Sequence, residues 1–425
     1  MSDTIFALSS GAPPAGIAVV RVSGPEAAQA LEALAGRLPE PRRASMARLH
    51  DRDGLLLDEA LVLWFPGPRT ATGEDLAEFH LHGGRAVVAA VEGAIAALPG
   101  MRKAEGGEFT RRAFRNGRID LAEAEGLAEL LAAETELQRR SAVQMAGGGF
   151  SAIIGEWRDG VLRLSAQLEA VLDFSDEDDV AEMPAGFDEA VNGLRAELLQ
   201  WLDRPRAERL HDGYRVVIAG PPNAGKSTLF NALLESDAAI TSPMAGTTRD
   251  VLERSVALAG VPFTFVDTAG LRGESGDEIE RIGIGRAERQ IAEADLVLWL
   301  GPEGEGPAGA LEVEARCDDP AHIAKLHPDL LLSAMSGAGM QELRQLLLVR
   351  ARDALPRPGE MALNVRQAAL IERAHGALAG ITGQGDLLLV AEGLREARVA
   401  FDRLVGRAST EDMLDALFGR FCIGK

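Results

Sequence analysis

The sequence predicts a multidomain protein of α/β plus all-α class. It combines a mixed α/β N-terminal domain, a discontinuous helical domain, and a doubly wound α/β domain inserted into the helical one. Three observations lead there. The 425 residues are too many for one ordinary core, so several are required. Apolar residues at alternating spacings of four and three mark long helices on one side of a stretch where short apolar runs alternate with helical segments, and helical segments return on the other side. One of those short runs leads into a glycine-rich loop that opens a helix.

Composition narrows the class. Hydrophobic residues make up 46%, charged residues 26% and aromatic residues 4%, which excludes collagen-like, mucin-like and wholly disordered chains. No apolar run reaches the length of about 18 residues that a transmembrane helix needs, so no membrane association is expected. Cys317 and Cys422 are the two cysteines, too few for a disulfide framework or a four-ligand zinc site. The N-terminus lacks a basic n-region, and Pro13 and Pro14 break its apolar stretch, so a reduced, cytoplasmic protein is expected. The net charge of −21 disfavours broad adhesion to nucleic acid but leaves room for a local basic site.

Residues 1–118 read as the N-terminal α/β domain, with β-prone runs at Gly16–Val22 and Leu61–Phe65 and a turn at Pro66-Gly67-Pro68. Within it Met101–Asp120 carries six basic residues against three acidic ones, which fits either a solvated helix face or a local anion site. Residues 119–212 read as the first part of the helical domain. Ile153, Trp157, Val161, Leu164, Leu168 and Val171 form one stripe, and Phe187, Val191, Leu194, Leu198 and Leu202 form another. Residues 213–355 alternate strands (Tyr214–Ala219, Pro262–Val266, Leu296–Leu300, Leu330–Leu332) with helices, and residues 356–425 return to helix.

After the strand Tyr214–Ala219 comes Gly220-Pro-Pro-Asn-Ala-Gly225-Lys226-Ser227, a G-x-x-x-x-G-K-S phosphate loop. Its backbone N–H groups and the following helix N-terminus suit phosphate oxygens, Lys226 reaches the β- and γ-phosphates, and Ser227 is placed to ligate Mg²⁺. Gly246-Thr247-Thr248-Arg249-Asp250 and Asp267-Thr268-Ala269-Gly270 follow in the order a GTPase requires. Leu271 stands where Ras-like enzymes use a glutamine to orient the attacking water, and leucine cannot hydrogen-bond. The orienting group must come from elsewhere, with Asp277, Glu278 and Glu280 as carboxylate candidates.

These motifs, the helical surroundings and the terminal Phe421-Cys422-Ile423-Gly424-Lys425 together closely resemble the MnmE (TrmE) family of tRNA modification GTPases. The resemblance runs through Gly16–Gly24, Leu63–Asp75, His82-Gly83-Gly84, Gly107–Phe114 and Asp120-Leu121. It implies an N-terminal domain that binds a tetrahydrofolate derivative (5-formyl- or methylene-) and forms a homodimer, and a Ras-like P-loop G domain. It also implies an FAD- and NADH-dependent partner subunit in a heterotetramer that modifies carbon 5 of the wobble uridine, position 34, of certain tRNAs with a carboxymethylaminomethyl or aminomethyl group. The GTP-binding residues it implies are Asn223, Ala224, Gly225, Lys226, Ser227, Thr228, Thr247, Thr248, Asp267, Thr268, Ala269, Gly270, Asp319, Ser333 and Ala334. Mg²⁺ would lie on Ser227 and Thr248, and a stimulating K⁺ on Asn223, Ser242, Met244 and Thr247. Glu280, followed by Arg-Ile-Gly-Ile, matches the water-orienting glutamate and joins Lys226 and Cys422 as the catalytic set. Arg21, Glu78, Arg118 and Lys425 match the folate contacts. Cys422 reads either as a residue of the modification step or as a small redox-silent thiol.

One motif departs. Guanine is normally read by Asn-Lys-x-Asp, but Glu314-Ala-Arg-Cys-Asp-Asp319 puts Arg316 and Cys317 in place of Asn and Lys and keeps only Asp319. Guanine recognition is therefore expected to persist through Asp319 but to be weaker or less selective. The short Gly- and Pro-rich stretch from Leu300 to Leu330 points to a trimmed helix. Two other readings compete: a ribosome- or RNA-assembly GTPase switch, and a scaffold with weakened nucleotide selectivity. The missing basic RNA-binding module argues against the first, and the intact Lys226, Ser227, Thr248, Asp267 and Glu280 argue against the second.

Overall fold

The computed structural model describes residues 3–173, 183–235, 252–268, 285, 287–319, 324–381, 386–408, 411–419 and 421–424. The chain begins with β1 (Thr4–Leu8), β2 (Ile17–Ser23), α1 (Ala27–Ala35), β3 (Ser45–His50), β4 (Leu56–Phe65) and β5 (Leu76–His82). It continues through α2 (Arg85–Ala96), β6 (Met101–Lys103), α3 (Glu108–Arg115), α4 (Leu121–Ala132), α5 (Glu136–Ala146) and α6 (Gly149–Asp173). Then come α7 (Phe187–Leu202), α8 (Ala207–Asp212), β7 (Tyr214–Ala219), α9 (Lys226–Glu235), β8 (Leu252–Leu258) and β9 (Val261–Asp267). The last elements are β10 (Leu296–Trp299), β11 (Leu311–Glu314), β12 (Leu330–Leu331), α10 (Met340–Ala354), α11 (Val365–Ala379), α12 (Leu387–Leu404) and α13 (Glu411–Phe418). By internal contacts there are two compact units. One comprises Met1–Ala128, Ala146–Asp159 and Val399–Lys425, the other Glu129–Met145 and Gly160–Arg398.

In the first unit six strands form one sheet in the order β3-β4-β5-β2-β1-β6, antiparallel except for β6 beside β1. Side chains alternate across a strand, so Ala18, Val20 and Val22 of β2 face a core with Leu31 of α1 and Val91 and Ile95 of α2. The opposite face carries Ile5 and Ala7, covered by Ala104 and Phe109 at the start of α3. Cross-strand register puts Met46, Leu61, His80 and Val19 in one row on that second face, and Met46 and Ile17 remain 63% exposed. α4 starts with a reciprocal cap in which Asp120 accepts from the Glu123 amide and Glu123 from the Asp120 amide.

The C-terminal end folds back within this same unit. Leu414 and Phe418 of α13 and Phe421 beyond it pack with Leu121 and Ala124 of α4. Phe418 lies 6.0 Å from Phe114 and 6.2 Å from Phe421, ring centre to ring centre. Ile423 then bridges Gly106, and the Gly107 amide donates to the Cys422 carbonyl at 3.4 Å. Gly424 adopts φ +94°, and a Cβ placed there would stand 2.0 Å from the Leu8 carbonyl oxygen, so only glycine fits this approach to β1.

In the second unit the sheet order is β12-β11-β10-β7-β9-β8, parallel except for β8 beside β9. β7 is an apolar run because both of its faces are buried. Val216 and Ile218 join a large cluster with Leu229, Leu233, Phe263, Phe265, Leu343 and Leu347, while Val217 and Ala219 join Val266 and Val297 on the other side. The crossover from β10 to β11 uses only residues 300–310 and has no helix, near the lower limit for a parallel connection. The Trp299 Nε1–H holds it down by donating to the Pro302 carbonyl at 2.8 Å. α7 packs on α11, which opens with a capping box between Asn364 and Gln367. The stripe expected in α6 is present, with Phe150 and Ile154 buried at its start and Ile153 half-buried.

Candidate active site

Strand β7 ends at Ala219 and α9 begins at Lys226, so the loop 220–225 joins a buried strand to a helix N-terminus. Gly225 has φ +92° and Asn223 φ +61°, the left-handed turns that let successive N–H groups converge on an anion. Lys226 is 6% exposed, and its ammonium donates to the carbonyls of Gly220 (3.0 Å) and Pro221 (2.7 Å). The lysine thus curls over its own loop, where the β- and γ-phosphates of a nucleotide would lie.

Parallel pairing sets Ile218 opposite Asp267, which brings the end of β9 to the start of α9. There the Ser227 hydroxyl donates to Asp267 Oδ2 at 2.6 Å, and Asp267 is fully buried. Thr268, next in the chain, donates from its hydroxyl to the Ile218 carbonyl at 2.9 Å. A hydroxyl and a carboxylate side by side are hard oxygen donors, which suits Mg²⁺ rather than a softer metal. Ser227 would hold the ion directly, with Asp267 beside it. When bound, such an ion neutralises charge that develops on the phosphate oxygens.

The base-reading side is built on β11 and β12. Arg316 forms a bridge with Ser333, and the Cys317 amide donates to the Leu332 carbonyl at 3.2 Å, so the two loops are held together. The Asp319 amide donates to the Arg316 carbonyl at 3.0 Å, and Asp319 is exposed. Ser333 is 1% exposed and accepts from the Ser336 amide at 3.1 Å. The buried Glu314 carboxylate accepts from the amides of Arg316 (3.3 Å) and Lys325 (3.0 Å). Arg316 itself extends to the Asn223 carbonyl of the phosphate loop.

A second polar site lies on the second face of the N-terminal sheet, beside Phe109. Arg21 and Glu78 are cross-strand partners, and Arg21 donates to Glu78 Oε1 from Nε (3.0 Å) and NH2 (2.8 Å). His80 Nε2 lies 3.2 Å from Glu78 Oε2, and the Arg21 guanidinium lies 5.9 Å from the centre of the Phe109 ring. Arg118 is exposed, with its side chain against Gly73.

Of the residues singled out in the sequence, the structure brings together Asn223, Ala224, Gly225, Lys226, Ser227, Thr228, Asp267 and Thr268 around the phosphate loop. It also pairs Arg21 with Glu78. Ser242, Met244, Thr247, Thr248, Ala269, Gly270, Glu280 and Lys425 lie outside the described residues, as do Leu271, Asp277 and Glu278. Cys317 and Cys422 are both exposed. The roles of Glu314, Arg316 and His80 are not visible in the sequence. Glu314 and His80 are ordinary polar residues until the fold supplies their partners, and Arg316 stands in the sequence only as a departure from the guanine motif.

Most of the basic stretch is spent on ion pairs. Its arginines line a cleft of about 670 Å³ with four guanidinium groups and five carboxylates. Arg112, 11% exposed at its side chain, contacts Asp3 (2.8 Å), Glu74 (3.0 Å) and Glu108 (3.1 Å), and Arg102 also pairs with Asp3 and Glu108. Lys103 pairs with Glu92, and Arg111 with Asp415. The Arg102 hydrogen bond holds Asp3 below the usual carboxylate range. Burial alone would push Glu108 up, but hydrogen bonds from Arg102 and Arg112 and from the Glu105 amide outweigh it and leave Glu108 low. Arg102, Lys103, Arg111, Arg112 and Arg115 are thus all in ion pairs, while Arg118 is exposed beside Gly73.

A strand, a glycine-rich loop with a buried lysine, and a serine–aspartate pair at the adjacent strand end define a P-loop nucleotide hydrolase. Residues 4–118 match the family described as GTP-binding protein TrmE N-terminus, and residues 121–422 match the MnmE helical domain. The chain is 63% identical over 423 residues to the tRNA modification GTPase MnmE of Erythrobacter litoralis (strain HTCC2594), covering 100% of both chains. It is 61% identical over 437 residues to the MnmE of Novosphingobium aromaticivorans, again over 100% of both. The MnmE of Rhizorhabdus wittichii is 60% identical over 427 residues, 100% of this chain and 97% of that one. The chain belongs to the MnmE family of tRNA modification GTPases and is a GTP-hydrolysing enzyme. No described helix is long and apolar enough to cross a membrane.

Proposed function

We propose that this GTPase is stimulated by K⁺ and works in the cytoplasm as a homodimer with an FAD- and NADH-dependent partner in a heterotetramer. In this reading it adds a carboxymethylaminomethyl or aminomethyl group to carbon 5 of the wobble uridine, position 34, of certain tRNAs. A 5-formyl- or methylene-tetrahydrofolate supplies the one-carbon unit. The domains are the folate-binding unit 1–118, the helical parts 119–212 and 356–425, and the G domain 213–355. The observation that carries this reading is the Arg21–Glu78 pair on the second sheet face, with Gly424 docked one strand away. Gly424 meets Leu8, and the neighbouring Ala7 is the cross-strand partner of Arg21. That places the backbone preceding Lys425 beside the residues that would receive a folate.

In this arrangement Arg21 and Lys425 receive the glutamate carboxylates of the folate, Arg118 adds a third cation, and Glu78 accepts from pterin N–H groups. The exposed Met46 and Ile17 on the same face support dimerisation there. Asn223, with Ser242, Met244 and Thr247, would hold the K⁺, and Glu280 would orient the attacking water. Asp319 keeps guanine recognition, at reduced selectivity. Cys422, whose neighbours Ile423 and Gly424 lie against Gly106 and Leu8, would act in the modification step.

Binding of 5-formyltetrahydrofolate tests the folate site. Glu78→Gln should weaken it tenfold or more, because a charge-assisted acceptor is lost, while GTP hydrolysis stays unchanged (about 1.4 kcal/mol per tenfold). Equal affinity in the variant would refute the assignment. Single-turnover hydrolysis in KCl and NaCl tests the cation: equal rates would remove the role given to Asn223.

A further inference from the structure

In a chain whose guanine motif has lost both Asn and Lys, something else must hold the base-reading loop against the phosphate loop. We propose that Arg316 is this brace: a positioning residue that couples guanine-loop geometry to the phosphate loop and to Lys226. Its backbone organises one side. The Arg316 amide donates to the buried Glu314 carboxylate, its carbonyl receives the Asp319 amide, and it bridges Ser333 of the second base loop. Its side chain organises the other, because the guanidinium donates to the carbonyl of Asn223, 93 residues away in sequence.

The contact reaches the catalytic lysine through one peptide unit. A trans peptide sets its C=O and N–H in opposite directions, so fixing the Asn223 carbonyl also fixes the Ala224 amide. That amide points to the Pro221 carbonyl (3.4 Å), and the same carbonyl accepts from the Lys226 ammonium (2.7 Å). Arg316, the 223–224 peptide, Pro221 and Lys226 therefore form one connected path. Asn223 sits in the left-handed region (φ +61°), which asparagine adopts more readily than other non-glycine residues, and this turns its carbonyl toward the base-reading loop. The two loops also approach closely: a Cβ on Gly225 would lie 4.0 Å from that of Ala315. Arginine's reach and several donors suit it to act from this position across the gap. The brace does not touch the base itself, so its loss weakens every nucleotide and leaves base preference unchanged.

The test is stopped-flow binding of fluorescent GDP and GTP to the full-length protein, with Arg316→Ala, Arg316→Lys and the double variant Arg316→Asn/Cys317→Lys. Arg316→Ala should raise both dissociation constants about tenfold or more through a faster off-rate, with the GTP-to-ATP preference and the thermal melting point unchanged. Turnover at saturating GTP should fall less than affinity does, so most of the effect appears in KM. Arg316→Lys should recover part of the affinity, and the double variant, which restores Asn-Lys, most of it. Three outcomes would overturn the proposal: wild-type affinity in Arg316→Ala, a collapse of GTP-over-ATP preference without a change in ATP binding, or failure of both restoring variants.

Discussion

Replacing Gly424 by alanine should separate the two activities of this chain. Two costs arise at that position. A non-glycine residue in the left-handed half of backbone space costs about 1–2 kcal/mol. The added Cβ would stand 2.0 Å from the Leu8 carbonyl oxygen, and an ordinary contact begins at 3.4 Å, so the terminal segment must retreat by more than an ångström. What holds the segment is small: the Ile423–Gly106 bridge and the 3.4 Å bond from the Gly107 amide to the Cys422 carbonyl. Two such hydrogen bonds contribute about 1–3 kcal/mol together. The strain therefore matches or exceeds the docking energy, and the docked fraction should fall about 30- to 150-fold for a loss of about 2–3 kcal/mol. Phe421, 6% exposed, stays anchored, so α13 should remain in place. Hydrogen exchange should show Gly107 losing protection, tRNA modification should fall, and GTP hydrolysis, whose residues all lie in the other unit, should be unchanged. Unaltered exchange at Gly107 with alanine in place would refute the close approach on which this reasoning depends.

Asp267→Asn keeps the shape of the pair with Ser227 but removes its charge; single-turnover hydrolysis should slow about 10²–10³-fold, comparable to losing one preorganised electrostatic contact. Phe418→Ala removes a 2% exposed ring and should cost about 3–5 kcal/mol, seen as an earlier unfolding transition of the N-terminal unit in urea. The ion-pair network of Asp3 and Glu108 should make that unit acid-labile. Both carboxylates titrate below their ordinary values, so their contribution is fully present above about pH 5 and is lost as pH falls through about 4 and below. Glu123, raised by burial, acts in the opposite direction and gains stability on protonation. Melting between pH 5 and pH 3 should therefore show a net fall that Arg102→Ala flattens.

The phosphate loop was legible because the requirement is local: a strand buried on both faces, two glycines, a lysine and a serine in fixed order. β7 matches its expected bounds, and β9, β10 and β12 differ from theirs by a residue or two at their ends. β8 and β11 were not seen, since Leu252–Leu258 and Leu311–Glu314 mix charged and apolar residues and read weakly as strands until β9 and β10 supply partners. β6 was hidden inside a basic stretch whose charges find their carboxylates only in three dimensions. The Cys-Ile-Gly-Lys ending was recognisable as a family mark, but its reason was not: Gly424 needs Leu8, some 400 residues earlier in the chain. Arg316 looked like decay of a guanine motif, and only the contact with Asn223 gives it a function.

The most direct measurement is mass spectrometry of tRNA nucleosides from a bacterial strain lacking its own MnmE, complemented with this chain or with its Lys226→Ala variant. We expect the chain to restore a carbon-5-modified wobble uridine and the variant to restore none, because hydrolysis at the phosphate loop drives the modification. Equal restoration by both would contradict a GTP-driven tRNA modification, and so would the absence of modified uridine with the unaltered chain.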